Sequence, residues 1–248
     1  MSDTIREDYK LPSLGKVYPK QFDPNVQLRS MTVEDEMKRL SPTNRPYKMM
    51  SEIIDSCLVD KLPYSSYDLC LGDYIYLLHK LRTVTYGAIY SLSYVCPICG
   101  SVENIDINLD ELEVKTYNKK INDHMFVDLP VTKHRVGLRL QTPRDLDDIQ
   151  INAKEMKEKF PDMKGEVYLL TLQSFIDTID GKPVDPIMIQ ENIKKLPMGD
   201  TNILSQAATK LNESIGIDNS VKVKCTNCNS DITIPFRYTD EFFRPTVY

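Results

Sequence analysis

The sequence predicts an α+β fold built as two tandem copies of one unit, each a strand followed by helices and a cysteine-bearing β-hairpin. Three observations predict it. A ten-residue frame occurs twice, the spacing between later landmarks hardly varies, and two Cys-x-x-Cys pairs stand in segments of period two.

The frames are Val26-Gln27-Leu28-Arg29-Ser30-Met31-Thr32-Val33-Glu34-Asp35 and Val136-Gly137-Leu138-Arg139-Leu140-Gln141-Thr142-Pro143-Arg144-Asp145. Both read Val-x-Leu-Arg-x-x-Thr-x-x-Asp, and a Leu-Pro pair precedes each, at Leu11-Pro12 and Leu129-Pro130. Leu71-Gly72-Asp73 is answered by Met198-Gly199-Asp200, and Gly87 by Gly216. Cys96-Pro97-Ile98-Cys99 is answered by Cys225-Thr226-Asn227-Cys228, and Asp110-Glu111-Leu112 by Asp240-Glu241-Phe242. The offset is 110 at Thr32/Thr142, 127 at Gly72/Gly199 and 129 from Gly87 through both cysteine pairs. Self-similarity of this kind marks a duplication, and the step from 110 to 127 predicts a 17-residue insertion in the helical part of the second copy. The first copy is expected over residues 1–118 with its knuckle at 96–99. The second is expected over 119–248 with its knuckle at 225–228 and an aromatic C-terminal tail, the two forming one compact unit.

Each element has its own signal. Val26 and Leu28, and later Val136, Leu138 and Leu140, alternate as in a half-buried strand. Thr32 and Thr142 follow, each with an Asp three residues on, a variant of the capping box, and Pro143 suits a first helical position. Their hydroxyls are expected to accept a backbone N–H of the first helical turn. Met49, Met50, Ile53, Ile54, Cys57 and Leu58 recur at helical spacing, as do Tyr74, Ile75, Leu77, Leu78 and Leu81. In the second copy one helix is expected through Val167, Leu170, Leu172, Phe175, Ile176 and Ile179, and another through Ile203, Leu204, Ala207, Ala208 and Leu211. Period two then returns: Ile89, Ser91, Ser93 and Val95 before one cysteine pair, Val221 and Val223 before the other. Ile105, Ile107 and Leu109, and Ile232, Ile234 and Phe236, follow the pairs, so each Cys-x-x-Cys is expected at a hairpin tip.

The 248 residues carry 41% hydrophobic and 27% charged side chains, ordinary for a globular protein. No apolar stretch approaches the roughly 20 residues of a membrane helix, and the N-terminus lacks the apolar segment of a secretory signal. A cytoplasmic location is therefore expected, and with it reduced thiols. A net charge of −5 with dispersed Lys and Arg argues against a nucleic-acid partner, which needs a dense basic surface.

Of the six cysteines, Cys57 and Cys70 stand alone in apolar helical patterns and read as small buried hydrophobes. Cys96-Pro97-Ile98-Cys99-Gly100 has the form of a zinc knuckle, with a glycine where the turn needs a positive φ. Cys225-Thr226-Asn227-Cys228-Asn229 is its counterpart, with Asn in that place. Each knuckle offers two thiolates, and tetrahedral zinc takes four. Cys96, Cys99, Cys225 and Cys228 are thus the expected ligands of one shared structural zinc, with iron as the rival metal and a redox dithiol as the rival chemistry. A closed shell of four thiolates leaves no position for a substrate.

No catalytic or organic-cofactor site is expected. His79, His124 and His134 show no ligand spacing, and His79 reads as a packed or half-exposed residue. The acidic clusters at Glu34-Asp35-Glu36 and Asp147-Asp148 suit the first turns of helices. Leu14-Gly15-Lys16 lacks the rest of a phosphate loop, and no catalytic motif appears. The C-terminal Glu241-Phe242-Phe243-Arg244-Pro245-Thr246-Val247-Tyr248 reads in two ways: as a docking tail, or as a segment folded onto its own core.

The Leu11-Pro12-Ser13-x-Gly15-x-x-Tyr18 opening, the Arg82-Thr83-Val84-Thr85-Tyr86-Gly87 segment and the two knuckles resemble the T4-type phage baseplate hub proteins. That family comprises the gene twenty-six product and related hub-assembly factors, and the likeness spans about Leu11 to Pro245. The resemblance implies a structural or assembly role in the central hub of a contractile-tail baseplate, without catalytic residues. It implies other hub or tail proteins as partners, and copies of the chain itself within a symmetric assembly. It also implies work in the host cytoplasm during assembly and a place in the virion for members that remain there. A different class of function, a zinc-ribbon adaptor binding nucleic acid or transcription machinery, would need a basic face that this composition lacks.

Overall fold

The computed structural model describes residues 4–162, 164–218, 220–235 and 240–243. The fold is mixed α+β, with several small antiparallel sheets among the helices. The chain opens with β1 (Arg6–Lys10) paired to β2 (Asn25–Arg29), whose alternation buries Val26 and Leu28. Then come α1 (Val33–Arg39), α2 (Pro46–Cys57), a 3-10 turn at Ser66–Asp68 and α3 (Leu71–Tyr86). Gly87, at φ 88°, ends α3 in a conformation that a side chain would strain. β3 (Ile89–Val95) and β4 (Val102–Asn108) form a hairpin, followed by a 3-10 turn at Leu109–Glu111 and by β5 (Val114–Lys115).

The second part starts with a 3-10 helix at Lys119–His124, then β6 (Phe126–Asp128) and β7 (Arg135–Leu138). α4 (Pro143–Lys159), α5 (Glu166–Phe175), β8 (Ile176–Ile179), β9 (Lys182–Pro183), α6 (Pro186–Lys194) and α7 (Met198–Asn212) follow. Strands β6 to β9 make one sheet in chain order. β10 (Gly216–Ile217) crosses back to pair with β5, and a second hairpin joins β11 (Ser220–Lys224) to β12 (Asp231–Pro235). The last described element is a 3-10 turn at Asp240–Phe243.

Helix starts follow the sequence closely. Thr32 and Thr142 each form a full capping box, with Asp35 and Asp145 as the reciprocal partners. Each satisfies two backbone donors that a bare helix start would leave open. Arg29 and Arg139, from the strand before, pair with those same carboxylates at 2.7 and 2.6 Å. Burial alone would raise the Asp35 pKa. The hydrogen bonds from Arg29, Thr32 and Ser56 outweigh it and hold the carboxyl below its usual range.

Three expectations are corrected. The apolar run from Val167 to Ile179 is not one helix. It breaks at Phe175, and Ile176–Ile179 forms β8, with Leu138 of β7 opposite Ile176. β-branched residues beside an open strand favour the sheet, and Asp180-Gly181, both at positive φ, turns the chain into β9. In β3 the inward face is Tyr90, Leu92 and Tyr94, while Ile89 and Val95 are exposed. The tyrosine parity prevails because Tyr90 lies beneath Arg82 and Phe242, and Tyr94 packs by the cysteines. Finally, Phe242 and Phe243 are buried in the core of the first part of the chain, not that of the second. Phe236 and residues 244–248 lie outside the described residues.

That first core gathers Leu11, Leu28, Ile53, Ile54, Leu77 and Leu81 around α3, and a second gathers Leu138, Leu172, Leu204 and Leu211. The two parts interlock through polar contacts as well as apolar ones. Asp147 of α4, expected to serve its own helix, instead accepts the backbone N–H groups of Tyr47 and Lys48 at the start of α2, and the Tyr67 hydroxyl. Arg45 pairs with Asp148 at 2.9 Å and Arg144 with Asp68 at 2.7 Å. Gly72 and Gly216 press together so closely that a Cβ on Gly216 would lie 2.6 Å from the Gly72 Cα.

A candidate metal centre between two hairpins

Each hairpin delivers its cysteines by the same turn. In the first, the Cys96 N–H donates to Ser101 O at 2.8 Å and the Gly100 N–H to Cys96 O at 2.9 Å. In the second, Cys225 N–H donates to Ser230 O at 3.0 Å and Asn229 N–H to Cys225 O at 2.9 Å. Gly100 and Asn229 take φ 73° and 58°, the left-handed values the sequence required of them. The turn thus aims both sulfurs of a pair the same way.

The hairpins face each other across a small apolar cluster of Tyr94, Val223 and Ile232, in which Cys96 and Cys225 are buried. Cys99 is exposed and Cys228 half-buried at the outer edge. All four sulfurs lie within 4.8 Å of one another. Cys96 Sγ is 3.8 Å from Cys228 Sγ, and Cys99 Sγ is 3.7 Å from Cys225 Sγ. A tetrahedral shell with metal–sulfur bonds of about 2.3 Å has edges of about 3.8 Å. The distances are far too long for disulfides, whose sulfurs lie about 2.05 Å apart. The donor set therefore fits a single thiophilic cation held by all four residues.

The surroundings favour the thiolate at Cys99 and Cys228, whereas burial and the neighbouring Cys228 thiol push Cys225 up. Hydrogen bonds from the Ser101 hydroxyl, then from Asn227 and the Ser101 N–H, bring the Cys99 thiol down to about 6. The Ser230 hydroxyl and N–H lower Cys228 likewise. Glu103 on β4 also borders the site. It accepts from the Thr226 hydroxyl at 2.5 Å and the Ser101 hydroxyl at 3.1 Å, and lies 3.6 Å from Cys225 Sγ. It laces one knuckle to the other, a role no sequence pattern announced.

The remaining candidates fall elsewhere. Cys57 and Cys70 sit in the first core, their thiols pushed up by burial, Cys57 to about 11. His79 is buried against Phe242, its ring centroid 5.1 Å away, and burial pushes its pKa down to about 3. His134 pairs with Asp180 at 2.7 Å on the surface. Among the described residues the four cysteines are the group of His, Cys, Asp or Glu gathered tightly enough to hold an ion. No described helix is long and apolar enough to cross a membrane.

Two buried carboxylates were visible as Gly-Asp pairs but without a role. Asp73 accepts the Ser13 N–H at 2.9 Å, the Ser13 hydroxyl at 2.5 Å and the Tyr18 hydroxyl at 2.6 Å. Asp200 accepts the Val131 and Thr132 N–H groups at 2.8 and 2.9 Å and the Thr132 hydroxyl at 2.7 Å. Each pins the loop that follows a Leu-Pro pair onto a long helix.

No curated protein and no solved structure matches the chain. A family model described as T4 bacteriophage base plate protein matches residues 1–244, nearly the whole sequence. The chain therefore belongs to the T4 bacteriophage base plate protein family.

Proposed function

We propose that this chain is a structural or assembly component of the central hub of the baseplate, stapled by one structural zinc. It acts through the surfaces it offers other hub or tail proteins and carries no catalytic step. The observation that carries the reading is the four-sulfur cluster, set between two hairpins in a chain of the base plate family. Four thiolates complete the shell of zinc, so the ion would join two cysteine pairs with 125 residues between them rather than meet a substrate. Zinc is preferred to iron because the role asked of the ion is structural and needs no redox change. Assembly would take place in the host cytoplasm, and membership in a base plate family supports a place in the virion.

The metal reading is supported by a tandem duplication of residues 1–118 and 119–248. Tyr9 pairs with Val26 as Val127 pairs with Val136, and Leu28 bridges Leu58 as Leu138 pairs with Ile176. Asp73 and Asp200 each pin the loop after a Leu-Pro pair, and the two cysteine turns share their hydrogen bonds. The Leu58/Ile176 equivalence, at offset 118, divides the 17-residue insertion in two: eight residues in the longer α4 and nine in the β8–β9–α6 region.

The test is a phage lacking this gene, supplied in trans with the wild-type chain or with Cys96→Ser. Without the chain, infected cells should accumulate tail parts but no hub-bearing baseplates. The wild-type chain should restore them, and Cys96→Ser should restore them poorly. Infectious particles with complete baseplates in the absence of the chain would overturn the proposal.

A further inference from the structure

The metal centre is symmetrical in its cysteines but not in what surrounds them. The two cysteine turns are related by an offset of 129, at which Ser101 answers Ser230. At the same offset Glu103 answers Ile232, Pro97 answers Thr226 and Ile98 answers Asn227. Glu103 shares the inner face of its hairpin with Tyr94, its register partner, and with Ile105. Its equivalent Ile232 is buried in the apolar cluster between the hairpins. A carboxylate turned toward such a cluster gives up hydration that only hydrogen-bond donors can replace.

The donors come largely from the opposite knuckle. The Thr226 hydroxyl donates to Glu103 Oε2 at 2.5 Å, and the Thr226 N–H donates to the same carboxylate. The Ser101 hydroxyl donates to Oε1 at 3.1 Å and stands 3.1 Å from Cys99 Sγ. Asn227 Nδ2, again from the second knuckle, donates to Cys99 Sγ at 3.5 Å. These bonds all lie on the edge of the sulfur group where Cys99 meets Cys225. On the edge where Cys96 meets Cys228, the equivalent residues are Ile232, Pro97 and Ile98, whose side chains neither donate nor accept. The second knuckle is thus tied to the first hairpin along one edge of the site.

We propose that Glu103 and Thr226 form a one-sided clasp, a positioning pair that fixes the second knuckle on the first hairpin and sets how long the bound ion is kept. The inference rests on the zinc reading above. An ion leaves a four-thiolate shell by shedding its ligands in turn, and a freed thiolate that stays in place recaptures it. The clasp keeps Cys225 and Cys228 within reach after one bond has broken. Residues that orient metal ligands in this way are worth about ten- to a hundredfold in affinity.

The test follows transfer of zinc from the full-length, zinc-loaded chain to a chromogenic chelator, as a rate and at equilibrium. Cobalt substitution reads the shell through its thiolate-to-metal absorption. Thr226 lies at the surface, so Thr226→Val leaves the core intact. Thr226→Val and Glu103→Ala should each release zinc about tenfold faster and bind it about tenfold more weakly, with the four-thiolate absorption unchanged. The double variant should be no worse than Glu103→Ala, because both changes break one contact. Glu103→Gln and Thr226→Ser, which keep the acceptor and the hydroxyl, should stay near wild type. A wild-type chain that takes up no ion, or binds it with fewer than four thiolates, removes the zinc reading and the clasp with it. One ion in a four-thiolate shell, released no faster by Thr226→Val or Glu103→Ala, overturns the clasp and leaves the zinc reading standing. Tighter retention in Glu103→Ala overturns it as well, since the carboxylate 3.6 Å from Cys225 Sγ would then act by repelling the thiolate. Losses that multiply in the double variant overturn the pairing of the two residues.

Discussion

Replacing Phe242 by alanine tests how the end of the chain is used. The side chain is fully buried among His79, Tyr90 and Phe243, with ring centroids 5.1, 5.4 and 5.2 Å away. The Arg82 guanidinium stands over the same ring, 5.9 Å from its centroid, and its Nε donates to the Phe242 carbonyl at 3.2 Å. Truncation to alanine removes the transfer free energy of the ring and leaves a cavity, together about 3–5 kcal/mol. The carbonyl acceptor remains, so the Arg82 bond adds nothing to that figure. For a chain of this length each kcal/mol lowers Tm by about 2–4 °C, so a fall of roughly 6–20 °C is expected by calorimetry. Phe242→Leu, which keeps much of the volume, should lose about half as much. A chain ending at Asp240 should be destabilised at least as strongly as Phe242→Ala. A shift below about 2 °C for Phe242→Ala would refute the packing argument. A truncated chain of unchanged stability that no longer joins hub proteins would instead make the tail a docking element.

Three further outcomes are expected. Elemental analysis of the purified chain should find about one zinc, falling to background in Cys96→Ser, with the loss of part of a binding free energy that reaches roughly 10 kcal/mol in small zinc domains. Two metals, or none after reducing purification, would sink the shared site. His79 takes up a proton only near pH 3 in the folded chain but near 6.5 when unfolded. The unfolded state therefore binds more protons between those values, and stability falls with falling pH across that window by up to about 1.4 kcal/mol per pH unit. His79→Gln should flatten that slope in denaturant titrations at pH 4 and pH 7, and an unchanged slope would count against the buried neutral imidazole. Asp147→Ala leaves the Tyr47 and Lys48 N–H groups and the Tyr67 hydroxyl without their acceptor, a loss of about 2–4 kcal/mol by denaturant unfolding. Asp147→Asn, which retains an oxygen acceptor, should cost less; a cost equal to that of alanine would show that the negative charge itself carries the cap.

What could be read in the chain was whatever depends on neighbours in sequence. Alternation marked β2 and β7, Thr and Asp three apart marked the starts of α1 and α4, and Cys-x-x-Cys followed by Gly or Asn marked the two turns. Each signal acts within about one turn of backbone, so the residues that carry it are contiguous. The grouping of Cys96 and Cys99 with Cys225 and Cys228 also followed, because four thiols in two like turns suit one ion.

What the sequence could not hold were choices made by partners from distant parts of the chain. The run after Val167 had the period of a helix, yet the open edge of β7 took Ile176–Ile179 as a strand. Asp147 looked like an ornament of its own helix and serves another. β3 offered two parities, and Arg82 and Phe242 decided for the tyrosines. Glu103 joined the cysteine turns only when Thr226 was brought opposite. Phe242 chose the far core for the same reason: burial is decided by which cavity the folded chain presents, and a local pattern carries no record of that cavity.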